Sequence, residues 1–148
     1  MVQEKDKITI LIADDDQDDR LMTKEAFAEA KISNHLRFVE DGEELMDYLH
    51  NRNQYADITK APLPGLILLD LNMPKMDGRE ALREIKQDPR LRRIPIVILT
   101  TSRAEEDICK SYDLGVNSFI TKPLSFESLV DMMRTITNYW IGVVELPR

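Results

Sequence analysis

Short apolar runs alternate with amphipathic segments along most of the chain, and this alternation constrains the fold more than any other feature. Continuous apolar runs are typical of strands that are buried on both faces of a parallel sheet. The runs predicted as strands are residues 8–13, 36–39, 66–69, 95–99 and 117–121. Because helical segments separate these runs, the sequence predicts an α/β fold with a parallel sheet and helices on both faces.

The segments between the strands carry the spacing and the end signals of helices. The first helix is expected to run to about Ala30, and the helix at 79–87 is expected to stop before Pro89, because proline disfavours helix at the preceding residue. Two pairs have the spacing of a capping box, Asp41 with Glu44 and Ser102 with Glu105. The second pair begins a predicted helix that ends near Leu114, before Gly115. A last helix from about Phe126 carries an apolar stripe expected in the core, namely Phe126, Leu129, Val130, Met133, Ile136 and Trp140.

The composition indicates a globular protein that does not bind nucleic acid. Apolar residues make up 43% of the chain, which is typical of a domain with a packed core. The net charge is -7, whereas a nucleic-acid interface requires clustered basic residues. Arg90, Arg92 and Arg93 form a short basic cluster that is interpreted as a solvated loop.

The cysteine content and the start of the chain bear on its compartment. Cys109 is the only cysteine, so no disulfide can form within the chain, and a structural thiol is favoured over a nucleophile. Residues 1–7 form a charged lead without the apolar core of a signal peptide. No run approaches the roughly 18–20 apolar residues that a membrane span needs. These features predict a soluble cytoplasmic protein without a membrane segment.

Four of the predicted strands end in polar residues that a packed core would exclude. These residues are Asp14-Asp15-Asp16, Asp70, Thr100 and Lys122. The carboxyl ends of parallel strands share one edge of the sheet, where ligands bind, so these side chains are expected to converge. Gathered carboxylates repel one another and favour a bound cation, and oxygen ligands without a His or Cys cluster favour Mg²⁺ over zinc. An aspartate in such a site can itself attack a phosphoryl group and form an aspartyl phosphate.

As an ordered set, these motifs resemble the receiver domain of two-component response regulators. The set consists of the acidic pair after the first strand, Leu-Asp-Leu-Asn-Met-Pro-Lys-Met-Asp-Gly at 69–78, Thr100, and Lys122-Pro123. The resemblance spans residues 8–138. It implies a flavodoxin-like, doubly wound five-stranded parallel sheet in the order 2-1-3-4-5, and a function in phosphorelay signalling rather than as an enzyme.

The resemblance also assigns roles by position. Asp70 resembles the phosphoacceptor, and Lys122 resembles the lysine that pairs with the phosphoryl oxygens. The resemblance implies an Mg²⁺ ion bound by Asp15, Asp70 and the backbone carbonyl of Asn72, with Asp14 in the outer shell. A slip of one residue within 14–16 stays open, because the assignment depends on where the strand stops.

Further positions resemble those that couple phosphorylation to a change of shape. Thr100 resembles the switch hydroxyl, and Phe119 resembles the coupled aromatic residue, for which plain core packing is the alternative. Ser102 and the Asn72 side chain occupy positions that tune the lifetime of the phosphoryl group. Through contacts with Thr100 and Lys122, the phosphoryl group would favour one of two states of the domain.

Two segments bear on partners. The connection at 51–65 is longer than is common in compact domains, and it is either a passive surface loop or part of a partner surface. The tail at 139–148 is apolar for a terminus, and it either folds back on the domain or, slightly favoured, forms an interface. The Tyr-Trp-Ile-Gly start of the tail and the long connection resemble small response regulators that pair with bacterial phytochrome histidine kinases and form homodimers. The expected partners are therefore a sensor histidine kinase and a downstream protein or phosphotransfer partner.

Two alternative functions use similar residues. Haloacid-dehalogenase-like phosphatases also combine an aspartate nucleophile with Mg²⁺, but their motifs occur in the opposite order, and Asn72 stands where their second aspartate would act as acid and base. A receiver-like scaffold that is never phosphorylated usually lacks the acceptor or the lysine, and both are present here. A flavin-binding protein of the same fold is disfavoured, because no phosphate-cradling loop of Ser, Thr and Gly follows the first strand.

Overall fold

A computed structural model describes residues 8–100, 112–113, 115–116, 118–123 and 125–143, and for Thr100 and residues 141–143 it describes the backbone alone. The predicted helix between Ser102 and about Leu114, including Glu105 and Cys109, lies almost entirely outside these ranges. Among the residues that are described, no helix combines the length and the apolar character that crossing a bilayer requires.

The described elements follow the predicted alternation of strand and helix, except between the fourth and fifth strands, where the predicted helix lies almost entirely outside the described residues. The strands are β1 (Ile10–Ala13), β2 (Leu36–Val39), β3 (Leu66–Leu69), β4 (Ile96–Thr100) and β5 (Ser118–Thr121). The helices in the described ranges are α1 (Gln17–Glu29), α2 (Gly42–Leu49), α3 (Gly78–Gln87) and α4 (Phe126–Thr137), with a 3₁₀ turn at Asn53–Tyr55 and a π-helical segment at Asn138–Val143.

All five strands are parallel and form one sheet in the order β2-β1-β3-β4-β5. This order confirms the predicted flavodoxin-like fold. The ends of the strands differ from the prediction by one or two residues. β1 begins at Ile10 rather than Ile8, and β4 begins after Pro95, which has no amide hydrogen to donate to the sheet.

The sheet separates two apolar clusters, because successive residues of a strand point to opposite faces. The α2–α3 core contains Leu11, Ala13, Ile67, Leu69, Ile96 and Ile98 from the strands, with Leu45, Met46, Leu49, Ala81, Leu82 and Ile85 from α2 and α3. The α1–α4 core contains Ile10, Ile12, Leu66, Leu68, Val97 and Leu99, with Ala26, Phe27, Leu129, Val130, Met133 and Ile136 from α1 and α4. Burial on both faces explains why the three inner strands, β1, β3 and β4, read as continuous apolar runs, whereas the edge strands β2 and β5 are only partly buried and include polar residues.

The apolar stripe of the last helix is buried except at its first residue. Leu129, Val130, Met133, Ile136 and Trp140 all belong to the α1–α4 core. Phe126 is 38% exposed, so its predicted place in the core is wrong. The whole first turn of α4, residues 125–128, is exposed, and burial begins one turn later. Helical spacing identifies the face of a helix that packs, but not how far the helix extends beyond its neighbours.

The 51–65 segment is attached to α2 by side-chain hydrogen bonds. The Tyr48 hydroxyl donates to the Pro62 carbonyl at 2.8 Å, and the Tyr55 hydroxyl donates to Oε2 of Glu44 at 2.7 Å. Within the segment, the Asn51 amide donates to the carbonyls of Ala61 and Tyr55 at 3.0 and 3.2 Å. The rings of Tyr48 and Tyr55 also pack edge to face, with their centroids 5.1 Å apart. The segment is thus an integral part of the domain surface and not a loosely attached insertion.

We expect Leu68→Ala to lower the free energy of unfolding by roughly 2–5 kcal/mol, because truncation leaves a cavity in the α1–α4 core. Leu68 is 1% exposed, whereas Leu63 in the 51–65 segment is 51% exposed. The matched variant Leu63→Ala should therefore cost less than about 0.5 kcal/mol. Urea unfolding of both variants measures the difference, and equal losses would contradict the assignment of Leu68 to the core.

Candidate functional site

Three carboxylates meet at the carboxyl edge of the sheet. Asp14 directly follows β1 and Asp70 directly follows β3, and these strands are neighbours. The Asp70 amide donates to the Ala13 carbonyl at 3.0 Å, so strand pairing continues up to the acidic residues. One oxygen each of Asp14, Asp15 and Asp70 lies within 4.8 Å of the other two. Asp14 and Asp70 are buried, while Asp15 is exposed.

The backbone after each strand holds these carboxylates in place. The Asp16 amide donates to Oδ1 of Asp14 at 3.0 Å, and the Asn72 amide donates to Oδ1 of Asp70 at 3.0 Å. Both bonds span two residues, the pattern of a local turn closed by the aspartate side chain. In each case Oδ1 accepts a backbone hydrogen bond, and Oδ2 contacts Lys122.

Lys122, at the end of β5, brings its ammonium into the middle of the cluster. Its Nζ lies 2.6 Å from Oδ2 of Asp14 and 3.0 Å from Oδ2 of Asp70. A third carboxylate, Asp19 Oδ2 in the first turn of α1, lies 3.0 Å from the same atom. One ammonium therefore joins the ends of β1, β3 and β5 to the start of α1.

Burial and pairing shift the pKa values of two of these groups in ways that can be separated. Burial raises the pKa of Asp14, and the hydrogen bonds from Lys122 and the Asp16 amide offset only part of this effect. Burial alone would lower the pKa of Lys122. The hydrogen bonds and charges of Asp14 and Asp70 outweigh it, so the pKa of Lys122 is raised and the ammonium stays charged at neutral pH.

The three consecutive aspartates have different structural roles. Asp16 is the N-cap of α1, and its Oδ1 accepts hydrogen bonds from the amides of Asp18 and Asp19 at 2.8 and 3.1 Å. Its side chain is therefore committed to the helix end. The carboxylate cluster contains Asp14 and Asp15, which is the pair predicted from the sequence.

A tight turn after β3 packs against the Asp70 backbone. A Cβ atom at Gly78 would lie 2.3 Å from the Asp70 carbonyl oxygen and 2.7 Å from the Leu71 Cα, so only glycine fits there. The Gly78 amide donates to the Leu71 carbonyl at 3.0 Å, and Asp77 caps α3 by accepting from the Arg79 amide at 2.7 Å. The turn closes before α3 begins, which leaves the Asp70 side chain on a backbone held by hydrogen bonds.

The structure describes some of the remaining predicted site residues fully, and others only in part or not at all. The Thr100 backbone ends β4 opposite Thr121, but its side chain is not described, and Ser102 lies outside the described residues. Phe119 is half-buried and packs against the α2–α3 core. Asn72 is exposed beside the cluster. The switch roles of Thr100 and Phe119 and the lifetime roles of Ser102 and Asn72 thus stay predictions.

Asp19 belongs to the site, and the sequence pattern did not predict this. Acidic residues in the first turn of a helix usually favour the positive end of its dipole, and this common role hides a more specific one. A usable signal was its position, because the first turn of a helix that follows a strand lies beside that strand's carboxyl end.

The donor set fits a divalent cation. Four carboxylates, from Asp14, Asp15, Asp19 and Asp70, lie in this part of the structure with two cations, the Lys122 ammonium and the Arg20 guanidinium, which donates to the Asp14 carbonyl at 2.9 Å, so negative charge is in excess. Mg²⁺ and Mn²⁺ prefer hard carboxylate oxygens as ligands, whereas softer metals prefer sulfur or imidazole nitrogen. A nucleophilic carboxylate next to a cation site and a fixed ammonium is the equipment for accepting a phosphoryl group.

Comparison with known families decides the identity. Residues 10–134 match the family model described as the response regulator receiver domain. The chain belongs to this family. The receiver domain is the phosphoacceptor module of two-component systems, and neither the phosphatase nor the unphosphorylated scaffold is favoured for this chain.

Several relatives of this receiver domain have been characterised or solved. Response regulator Rcp1 of Synechocystis sp. (strain ATCC 27184 / PCC 6803 / Kazusa) is 43% identical over 141 residues, which cover 95% of this chain and 93% of Rcp1. The phosphorylated cyanobacterial phytochrome response regulator RcpA is 43% identical, with a TM-score of 0.88 and coverage of 96% and 99% of the two chains. The Mn²⁺-bound form of Rcp1 has a TM-score of 0.85 at 41% identity, with coverage of 95% and 99%.

We expect Asp15→Asn to weaken binding of Mg²⁺ or Mn²⁺ on the order of tenfold, because it removes one charged ligand from the carboxylate cluster. Asp16→Asn is the matched control. It removes the same charge one residue away, and asparagine caps helices as well as aspartate does. Calorimetric titration with each ion measures both affinities. Equal weakening by the two substitutions would show that general charge, and not ligation by Asp15, is what matters.

Proposed function

We propose that this receiver domain accepts a phosphoryl group from a histidine kinase on Asp70, in an Mg²⁺-dependent reaction. The observation that carries the proposal is the convergence of Asp70 and Lys122, whose Oδ2 and Nζ atoms lie 3.0 Å apart at the carboxyl edge of the sheet. Mg²⁺ would be held by Asp15, Asp70 and the Asn72 backbone carbonyl, with Asp14 in the outer shell. The shorter Lys122 contact of Asp14, 2.6 Å, supports this division, since the charge of Asp14 is already compensated.

The reaction follows from these positions. A carboxylate oxygen of Asp70 attacks phosphorus, the bond between phosphorus and the imidazole nitrogen of the kinase breaks, and that nitrogen keeps the bonding electron pair. Lys122 neutralises charge on the phosphoryl oxygens through its ammonium. A bound Mg²⁺ supplies further neutralisation of the same oxygens. The Asn72 amide, on Oδ1 of Asp70, fixes the orientation of the attacking group.

The phosphorylated domain then signals through a change of state. We propose that the Thr100 hydroxyl moves towards the phosphoryl group and that Phe119, half-buried beside β4, changes its packing with it. Ser102 and the Asn72 side chain set how long the phosphoryl group lasts. The phosphoryl group stabilises the state in which Thr100 and Lys122 both contact its oxygens. Phosphorylation therefore shifts the population between two states of the same fold.

The domain acts on its own phosphoryl group and not on a separate substrate. We propose that its output is a phosphorylation-dependent contact with a downstream protein or phosphotransfer partner in the cytoplasm, where an ATP-dependent kinase supplies the phosphoryl group. No turnover of phosphate esters is expected, because Asn72 cannot serve as the acid and base that a phosphatase of similar residues uses.

A phytochrome histidine kinase is the partner that the relatives favour. RcpA is described as a phytochrome response regulator, and this chain is similar to it along almost its entire length. We also propose a homodimer through the segment after α4. Within that segment Trp140 packs into its own core, so the exposed Tyr139, whose ring packs edge to face on Trp140, is the residue offered to a second copy.

We expect wild-type protein to gain the mass of one phosphoryl group on incubation with acetyl phosphate and Mg²⁺, and Asp70→Asn to gain none, because its amide is not a nucleophile. Asp77→Asn removes an acid from the same turn and retains the helix cap, so it should be phosphorylated normally. Intact mass spectrometry measures all three. An adduct of equal stoichiometry on Asp70→Asn would refute the assignment of the acceptor.

We expect an autophosphorylated bacterial phytochrome kinase to transfer its phosphoryl group to this domain faster than a histidine kinase of another sensor class does. Transfer requires complementary docking surfaces as well as the acceptor. The measurement follows loss of label from each kinase, with Asp70→Asn as the blank. Equal rates from both kinases would reject the phytochrome pairing while leaving the role of Asp70 intact.

A further inference from the structure

The Lys122 ammonium has no donor to spare in the described structure. A lysine ammonium carries three N–H groups. Lys122 has three carboxylate partners within hydrogen-bond distance, Asp14 at 2.6 Å and Asp19 and Asp70 at 3.0 Å. A phosphoryl oxygen that arrives on Asp70 can bond this ammonium only if one of the three carboxylates is released.

The three partners differ in how easily they can be released. The side chains of Asp14 and Asp70 are 5% and 9% exposed, whereas the Asp19 side chain is 41% exposed. A carboxylate that leaves Lys122 must be solvated elsewhere, and burial makes this costly for the first two. Asp14 and Asp70 are also held by the amides of Asp16 and Asn72. Asp19 lies in the first turn of α1, where its side chain is open to solvent.

We propose that Asp19 is the partner that Lys122 exchanges for a phosphoryl oxygen when Asp70 is phosphorylated. This inference rests on the proposed function of Asp70. Asp19 is then a positioning residue. It holds Lys122 over the acceptor in the resting state, and it competes with the phosphoryl group for the third N–H. Because three donors are filled before and after the exchange, the ammonium is never left unpaired in the buried site.

If Lys122 exchanges Asp19 for a phosphoryl oxygen, removing the charge of Asp19 should change the affinities for a phosphoryl mimic and for Mg²⁺ in opposite directions. Without the competitor, Lys122 binds a phosphoryl group more readily, so affinity for a phosphoryl mimic rises. In the unphosphorylated state, Lys122 then interacts more strongly with Asp14 and Asp70. It therefore competes more strongly with a divalent cation for the same carboxylates. Affinity for Mg²⁺ alone should therefore fall. General damage to the site would lower both affinities.

The test is calorimetric titration of the full chain with beryllofluoride, a mimic of the phosphoryl group, at saturating Mg²⁺, and separately with Mg²⁺ alone. Asp19→Asn should bind beryllofluoride about two- to fivefold more tightly than wild type, which is the range that a partly exposed ion pair supports. It should bind Mg²⁺ more weakly. Asp18→Asn removes the same charge from the neighbouring exposed residue, and Asp19→Glu keeps the charge and should return both affinities towards wild type.

Each outcome decides the matter. Tighter beryllofluoride binding by Asp19→Asn, but not by Asp18→Asn, supports the exchange. Equal behaviour of the two variants, or weaker beryllofluoride binding by Asp19→Asn, overturns it while the acceptor role of Asp70 stands. Failure of the wild-type protein to bind beryllofluoride overturns the acceptor role and the exchange together. Asp19→Ala, judged by the same two titrations, guards against a residual hydrogen bond from the asparagine side chain.

Discussion

The contact of one ammonium with carboxylates from two strands and a helix is the interaction on which this structure depends. Buried charges are costly unless they are paired, and removing one partner of a buried pair typically costs about 3–5 kcal/mol. Asp14 and Asp70 would repel each other at the ends of β1 and β3 if Lys122 did not lie between them. The sheet order places β5 two strands away from β3, so Lys122 reaches the acids across the end of β4. The last residue of β4 is Thr100, whose backbone pairs with that of Thr121, directly before Lys122.

Backbone contacts hold Asp14 and Asp70 in place at this edge, whereas Lys122 and Asp19 are joined there only through their side chains. Strand pairing continues to Asp14 and Asp70, and the hydrogen bond from the Gly78 amide to the Leu71 carbonyl closes the following turn, where only glycine fits. These supports are backbone contacts, which side-chain chemistry does not disturb. The parts proposed to change, Lys122 and its partner Asp19, are joined only by side-chain atoms. A receiver domain needs this division, because the acceptor must stay in place while the signal is carried by its neighbours.

The sequence predicted the parts of the structure that follow from local patterns. Continuous apolar runs located β1, β3 and β4 because both faces of these inner strands are covered. The positions of Asp70 and Lys122 directly after predicted parallel strands placed both residues at one edge of the sheet. Phe126 was misplaced because periodicity describes the face of a helix and not its overhang. The attachment of the 51–65 segment depends on the hydroxyls of Tyr48 and Tyr55, which meet acceptors ten or more residues away, and no local pattern records such pairs. Asp19 was overlooked because its charge has an ordinary explanation at the start of a helix.

The separation of the core into two clusters has a consequence for how the sequence can vary. Leu68 and Leu69 are adjacent in the chain, yet one packs with α1 and α4 and the other with α2 and α3. Substitutions that lie more than about 7–10 Å apart and share no packing partners, as most residues on opposite faces of the sheet do, are close to additive in their effect on stability. The two sides of the sheet can therefore be repacked independently of each other. Changes in the α1–α4 core can then accumulate without loosening the packing of Leu69, Leu71 and Met73 around the turn that follows Asp70.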